Sequence, residues 1–129
     1  MAIVDFVIGL ALIEYFIFGA AVGRARGQFN VPAPATTGHP QFERRYRVQM
    51  NTLEQLIMFI PGMWAFARYV SPVWAAALGG VFIIGRALYY FGYVQSPQKR
   101  SAGFGISAAP VMILVLGGMI GAALSWYRG

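Results

Sequence analysis

The sequence predicts an all-α integral membrane protein, built as a bundle of four spanning helices. Of its 129 residues, 58% are hydrophobic and only 11% are charged, against a charged fraction of about 25% in soluble domains. A soluble domain with so few charges could not cover its surface with polar groups. The length allows about four segments of roughly 20 residues each, the length at which a helix crosses a bilayer. We expect one membrane domain over residues 1–129, with spans at about 2–23, 41–69, 72–94 and 104–126.

Composition also excludes several classes of function. The chain has no cysteine, so it forms no disulfide, holds no Cys-ligated metal and has no thiol nucleophile of its own. A single histidine does not make a metal site, and we expect no metal cofactor. The net charge of +6 does not indicate a nucleic-acid partner, because the basic residues stand at segment ends and in two loops rather than in a tract.

The first predicted span begins almost at the N-terminus and contains two acidic residues. Asp5 can lie at the membrane interface, whereas Glu14 falls near the middle of the bilayer. A carboxyl group at that depth must be neutral, paired or directed at a cavity. We favour a neutral or hydrogen-bonded Glu14 between helices. The prolines that follow at 32, 34 and 40 predict a loop over residues 27–41, in which His39 is expected to be solvated.

The second predicted span carries a polar stripe, which we define as Arg44, Arg47, Asn51 and Glu54. These residues follow the i, i+3, i+4 spacing of one helix face. Because a polar face directed at hydrocarbon is costly, the polar stripe should face the interior of a bundle or a water-filled cavity. The alternative for Arg44 and Arg45 is pairing with lipid headgroups at the membrane surface.

The third predicted span starts at Pro72 after a tight turn, which makes it an antiparallel neighbour of the second. Tyrosines near its end are typical of an aromatic belt at the membrane interface. Arg86, about two turns inside the span, is harder to explain. It needs an anionic partner, for which Glu14 and Glu54 are the candidates. One broad face of this span contains Arg86, Tyr89, Tyr90 and Tyr93.

The distribution of basic residues predicts the orientation of the chain. The fourth span is plain and apolar, and it follows a basic connection at 95–103. Most of the basic residues lie in or beside the first and third connections, whereas the other side of the membrane has only Arg68 and Arg128. By the positive-inside rule, both termini should be outside and the first and third loops cytoplasmic. The basic side contains Arg24, Arg26, Arg44, Arg45, Arg47, Lys99 and Arg100.

This topology brings the polar stripe, the tyrosine face (Tyr89 and Tyr93) and Arg100 to the same side of the membrane. Together they offer several guanidinium groups, one carboxylate, one amide and phenol hydroxyls. Guanidinium groups bind carboxylates in a bidentate manner, and Glu54 can accept an ammonium group. Such a site suits a ligand with more than one carboxylate and an amine, and glutathione is such a molecule. A nearby arginine would also favour its thiolate.

Three blocks of the sequence resemble one family. Phe-Glu-Arg-Arg-Tyr-Arg-Val-Gln-Met-Asn-Thr-Leu-Glu at 42–54 is similar to the signature of the MAPEG family (membrane-associated proteins in eicosanoid and glutathione metabolism). Pro-Ala-Thr-Thr-Gly at 34–38 and Arg-Ala-Leu-Tyr-Tyr-Phe-Gly-Tyr at 86–93 agree with it. The resemblance covers nearly the whole chain and is nearest to the branch with leukotriene-C synthase and microsomal glutathione transferases two and three. The ending at Gly129, without a eukaryotic retention tail, leads us to expect a bacterial member.

The resemblance implies a homotrimer of four-helix protomers, with glutathione bound in the membrane between neighbours and open to the cytoplasm. It implies membrane lipids and a lipophilic electrophile as partners and, for a bacterial member, the inner membrane. Arg100 takes the place of the arginine that activates the thiol. Carried over by position, the residues that hold glutathione are Arg47, Asn51, Glu54, Tyr89 and Tyr93, with Gln49 and Arg26 in the same shell.

The implied function is a glutathione transferase whose thiolate attacks an electrophile dissolved in the bilayer, with glutathione peroxidase activity as a further reaction. Gly27 and Gln55 depart from the leukotriene-synthesising pattern, which has an arginine and an aromatic residue there. A non-catalytic lipid-binding or scaffold protein of another branch is the main alternative, and Arg100 argues against it. A small transporter with Glu14 as a proton site would explain the buried acid but not the polar stripe.

Overall fold

The computed structural model describes residues 1–129, and its regular structure consists of helices only. The predicted all-α four-helix architecture is confirmed. A single 3-10 turn, Pro97–Lys99, precedes the last helix. The four long helices are α1 (Ala2–Gln28), α2 (Pro40–Tyr69), α3 (Pro72–Gln95) and α4 (Arg100–Arg128).

Two helices are longer than hydropathy predicts. α1 continues to Gln28 rather than ending near residue 23, and α4 begins at Arg100 rather than at 104. The extra turns are polar or small, so they lie outside an apolar window although nothing in them stops a helix. Arg100 is therefore the first residue of α4 and not part of a loop.

Local capping determines where α2 and α3 begin. Nδ1 of His39 accepts a hydrogen bond from the backbone N–H of Gln41 at 3.1 Å, and Pro40 occupies the first helical position. Ser71 and Pro72 do the same for α3, where the Ser71 hydroxyl accepts from the N–H of Trp74 at 3.2 Å. Proline at the first helical position costs no hydrogen bond, because that N–H has no partner within the helix. His39, expected to be solvated, is a helix cap stacked on Phe29.

The surface of the bundle is that of a membrane protein. The core is small and centred on the stacked rings of Phe59 and Phe82, whose centroids lie 4.1 Å apart. Large apolar side chains point outward from the bundle, among them Phe16 at 77% exposure and Ile57 at 68%. α1, α3 and the segment Pro97–Arg128 are long and apolar enough to cross a membrane. The protein is an integral membrane protein.

α2 differs from the other helices because its first half is polar. It is not among the helices that are apolar enough to span a membrane by composition. The helix nevertheless runs without interruption through Pro61 and packs along α1 in antiparallel fashion, with the Trp64 indole N–H donating to Asp5 at 3.0 Å. The polar half therefore begins outside the apolar part of the bundle and enters it between α1, α3 and α4.

α3 and α4 approach each other closely at their connected ends. A Cβ atom on Gly103 of α4 would lie 2.2 Å from the backbone nitrogen of Tyr89 on α3. Real Cβ atoms do not come this near, so only glycine permits this spacing at position 103. The close approach places the start of α4 directly beside the tyrosine face of α3.

Candidate functional site

An open groove lies where α2, α3 and the first turn of α4 meet. Its cavity volume is about 430 Å³, within the range typical of small-molecule sites. The groove brings together six of the eight residues that the sequence analysis proposed as a site, and it adds Met50. The lining residues are Arg47, Met50, Asn51, Glu54, Tyr89, Tyr93 and Arg100. We call this cavity the stripe groove.

α2 supplies the charged side of the stripe groove. Arg47, Asn51 and Glu54 lie on one face of the helix, as their spacing predicted, and all three line the cavity. Arg47 and Glu54 are exposed, so their charged ends are available to a ligand. Arg44, the first member of the stripe, instead donates hydrogen bonds to the carbonyls of Val94 and Gln95 at 3.1 and 3.3 Å. It therefore ties the end of α3 to α2.

α3 supplies two aromatic side chains that differ in their exposure. Tyr89 is buried, at 4% exposure, and its ring meets that of Tyr93 edge-on, with centroids 5.6 Å apart. Tyr93 is half-buried, and its ring lies under Arg100, whose guanidinium carbon is 5.5 Å from the ring centroid. The rings of Tyr89 and Tyr93, which we call the aromatic wall, therefore form one surface with the start of α4.

The connection between α3 and α4 separates two adjacent cations. Arg100 donates to the carbonyl of Pro97 at 2.6 Å and lines the stripe groove. The Lys99 ammonium group donates instead to the side chain of Gln95 at 3.2 Å, and Lys99 is not among the lining residues. Only one of these two basic residues is therefore in a position to act on a ligand in the groove.

Arg86 has a different environment from the one expected. Its exposure is 0%, and its guanidinium donates to the side chains of Asn51 at 2.6 Å and Thr52 at 3.3 Å. The remaining nitrogens donate to the Ser107 hydroxyl at 3.1 and 2.8 Å. These partners are neutral, so the expected ion pair with Glu14 or Glu54 is corrected to a set of hydrogen bonds with side-chain oxygens.

Sequence reasoning missed Ser107 and Thr52, although one signal was present. Both are small hydroxyl residues, Ser107 in an apolar segment and Thr52 beside the polar stripe, and both are fully buried. A buried arginine needs acceptors, so hydroxyl residues at the same depth were the residues to search for. Glu14 is not among the acceptors, and its Oε1 atom is buried without a hydrogen-bond partner, as is Oε1 of Gln55.

Arg26 and Gln49 lie outside the stripe groove within a single chain. Arg26 donates to the carbonyls of Val31 and Ala35 at 3.3 and 2.7 Å, so it fastens the loop that follows α1. Its guanidinium carbon also lies 4.8 Å from the centroid of the Phe42 ring. Gln49 lines a separate apolar cavity of about 510 Å³ on the α1 side of α2, beside Gly19.

Comparison with known proteins agrees with these features. The profile of the MAPEG family matches residues 4–121. An uncharacterized protein of Synechocystis sp. is 50% identical over 111 residues, which cover 86% of this chain and 81% of that protein. Human microsomal glutathione S-transferase 2 is 39% identical over 117 residues, covering 91% and 80%. Leukotriene C4 synthase of Cavia porcellus is 37% identical over 108 residues, covering 84% and 71%.

Proposed function

The chain belongs to the MAPEG family, and we propose that it is a membrane-embedded glutathione transferase that joins glutathione to lipophilic electrophiles. The observation that carries the proposal is the polarity of the stripe groove. Its polar side chains are hydrogen-bond donors or cations except for one carboxylate, Glu54. A ligand that matches this groove has one cationic group and several anionic or carbonyl oxygens, as glutathione does.

The residues have separate proposed roles. Arg47 pairs with a carboxylate of glutathione, and Glu54 receives its ammonium group. Asn51, Tyr89 and Tyr93 hydrogen-bond to the peptide. Arg100 is the catalytic residue and faces the thiol. A guanidinium is always protonated, so Arg100 acts by its charge and not as a base.

The proposed reaction is nucleophilic substitution or addition by the thiolate. The thiol proton passes to water, and the sulfur forms a bond to an electrophilic carbon dissolved in the bilayer. The electron pair of the broken bond leaves with the displaced group or stays on the opened epoxide oxygen. The protein contributes proximity and stabilisation of the thiolate. Two glutathione molecules could reduce a lipid hydroperoxide to an alcohol and water in the same groove, with glutathione disulfide as the second product.

We also propose that the working unit is a homotrimer. The stripe groove is open in one chain, with Arg47, Glu54 and Arg100 exposed, and a second copy would close it. Arg26 and Gln49 lie on α1 and on the α1 side of α2, away from the groove of their own chain. A neighbouring copy that covers the groove with this face would add both residues to the glutathione site. The number three rests on the family resemblance.

Glutathione binding by the purified protein tests the proposed function. Calorimetric titration in detergent should give saturable binding, accompanied by an increase in thiolate absorbance. Conjugation of a chromogenic lipophilic electrophile should then follow with saturation in both substrates. Binding without any thiolate signal or turnover would support the alternative, a non-catalytic lipid-binding or scaffold protein. No binding at all would rule out both the transferase and the glutathione site.

A further inference from the structure

Arg86 touches the stripe groove from behind, without lining it. Its side chain is fully buried between α2, α3 and α4, yet it contacts two residues that line the groove. Its Nη1 atom lies 2.6 Å from Oδ1 of Asn51, and its guanidinium carbon lies 4.3 Å from the ring centroid of Tyr89. A buried cation in this position costs free energy unless its donors are satisfied, so its contacts should be specific.

The chemistry of the two groups determines how the Asn51 amide is oriented. A guanidinium has only donors, whereas an asparagine amide has one acceptor oxygen and one donor NH₂. Turning the amide over would bring its NH₂ against the buried guanidinium and would leave two donors facing each other. Arg86 therefore permits only one orientation of Asn51, with the oxygen directed at Arg86.

Three further contacts keep the guanidinium itself from turning. Nε and Nη2 both donate to the Ser107 hydroxyl, at 3.1 and 2.8 Å, and Nη1 also donates to Thr52 at 3.3 Å. The Ser107 hydroxyl in turn lies 2.9 Å from the carbonyl oxygen of Gly103 on its own helix. Hydrogen bonds to both α2 and α4 therefore hold the guanidinium group in one orientation, because buried and satisfied polar networks are rigid. Asn51 thus has a fixed partner.

We propose that Arg86 is a positioning residue that fixes Asn51 as a pure hydrogen-bond donor toward the ligand. Because the amide oxygen is directed at the buried Arg86, the NH₂ group is what Asn51 offers to the stripe groove that it lines. Its partner on glutathione must then be an acceptor, a peptide carbonyl or a carboxylate oxygen. This inference rests on the proposed glutathione site and deepens it, since it assigns the polarity of one contact and the residue that sets it.

The first test replaces Asn51 by aspartate. Asn51→Asp keeps an oxygen for Arg86, so the thermal midpoint should stay at or above that of the parent. The variant offers a carboxylate oxygen where the NH₂ stood, and glutathione affinity should fall by roughly 10- to 100-fold, the cost of losing a hydrogen bond to a charged group. A stable Asn51→Asp protein that binds glutathione like the parent would overturn the inference.

The second test is a double-mutant cycle, because a merely structural role of Arg86 would also weaken binding. Arg86→Met removes the donors and keeps an unbranched, flexible side chain, and Asn51→Ala removes the positioned amide. If Arg86 acts through Asn51, Arg86→Met should weaken glutathione binding in the parent but have little further effect in the Asn51→Ala background. Arg86→Lys should recover part of the affinity. Equal effects of Arg86→Met in both backgrounds would overturn the proposal.

Glutathione binding by the parent protein distinguishes a failure of the proposed function from a failure of this inference. If it binds no glutathione, the proposed function and this inference are both wrong. If it binds glutathione and the cycle is additive, or Asn51→Asp binds normally, only the inference is wrong and the transferase proposal remains. Should Arg86→Met fail to fold, Asn51→Asp still decides, because it leaves the buried arginine with its partner.

Discussion

Gly103 and Tyr89 are in backbone contact: a Cβ atom at position 103 would lie 2.2 Å from the Tyr89 nitrogen. Because Gly103 has no side chain, α3 can lie this close to α4. Three residues before Gly103, Arg100 begins α4 with its guanidinium carbon 5.5 Å from the ring centroid of Tyr93. The proposed thiol-activating residue and the aromatic wall are thus held together by helix packing and not by a bond between them.

Gly103→Ala should consequently harm both stability and binding. The added methyl group meets backbone atoms that cannot turn aside, so α3 and α4 must separate, at a cost of about 1 to 3 kcal/mol or more. Thermal unfolding in detergent and glutathione titration should both reveal the change. Gly105→Ala is the matched control, since nothing lies within 4 Å of a Cβ at that position. Equal behaviour of the two variants would contradict this account of the packing.

Arg47→Ala should weaken glutathione binding, because the ligand carboxylate would lose its cation in a groove that the proposed trimer would shield from water. The expected loss is about 2 kcal/mol or more, measured by titration calorimetry. Arg45→Ala removes the same charge two residues earlier on α2. That side chain donates to Gln41 at 2.8 Å and is not among the residues of the stripe groove. Similar losses in both variants would mean that overall charge, and not the groove, determines affinity.

Some features of the site could be predicted from sequence because they follow helical periodicity. Arg47, Asn51 and Glu54 needed only the i, i+4, i+7 spacing to be placed together, and the resemblance to a family added Arg100. The partners of Arg86 could not be predicted in this way. They depend on which faces of α2 and α4 meet at one depth. In place of the expected carboxylate, Arg86 donates to the side-chain oxygens of Asn51, Thr52 and Ser107. The spacing of residues shows which of them share one face of a helix. It does not show how that helix is rotated against its neighbours.

Glu54 should act on the ammonium group of glutathione, because it is the only acidic side chain that lines the stripe groove. A glutathione analogue whose amino group is acylated should bind the parent more weakly, while Glu54→Gln should bind glutathione and the analogue about equally. Calorimetric titration of both ligands against both proteins gives the coupling. If Glu54→Gln still prefers the free amine as strongly as the parent does, Glu54 is not the partner of that group.

The assembly proposal predicts a trimer by native mass spectrometry from mild detergent. It also predicts complementation between chains, because Arg47 and Gln49 of one chain would serve two different sites. Co-expression of Arg47→Ala and Gln49→Ala chains should recover more glutathione binding than either variant alone, since mixed trimers contain some sites with both residues. A monomer in mild detergent, or no recovery in mixed assemblies, would count against a site shared between copies.

Arg100→Ala should separate thiol activation from binding, which makes it the sharpest test of catalysis. A free thiol has a pKa of about 8.5, so unassisted glutathione is mostly protonated at neutral pH. A nearby cation stabilises the thiolate and lowers the thiol pKa, typically by 1 to 3 units in charge pairs of this kind. Without Arg100 the conjugation rate should be low at neutral pH and should rise only as pH approaches the higher thiol pKa, while most glutathione binding remains.

Lys99→Ala is the control, because the ammonium group of Lys99 is directed at Gln95, and the pH profile of this variant should match that of the parent. An Arg100→Ala enzyme with full turnover and an unshifted profile would remove Arg100 from the mechanism and favour the non-catalytic alternative.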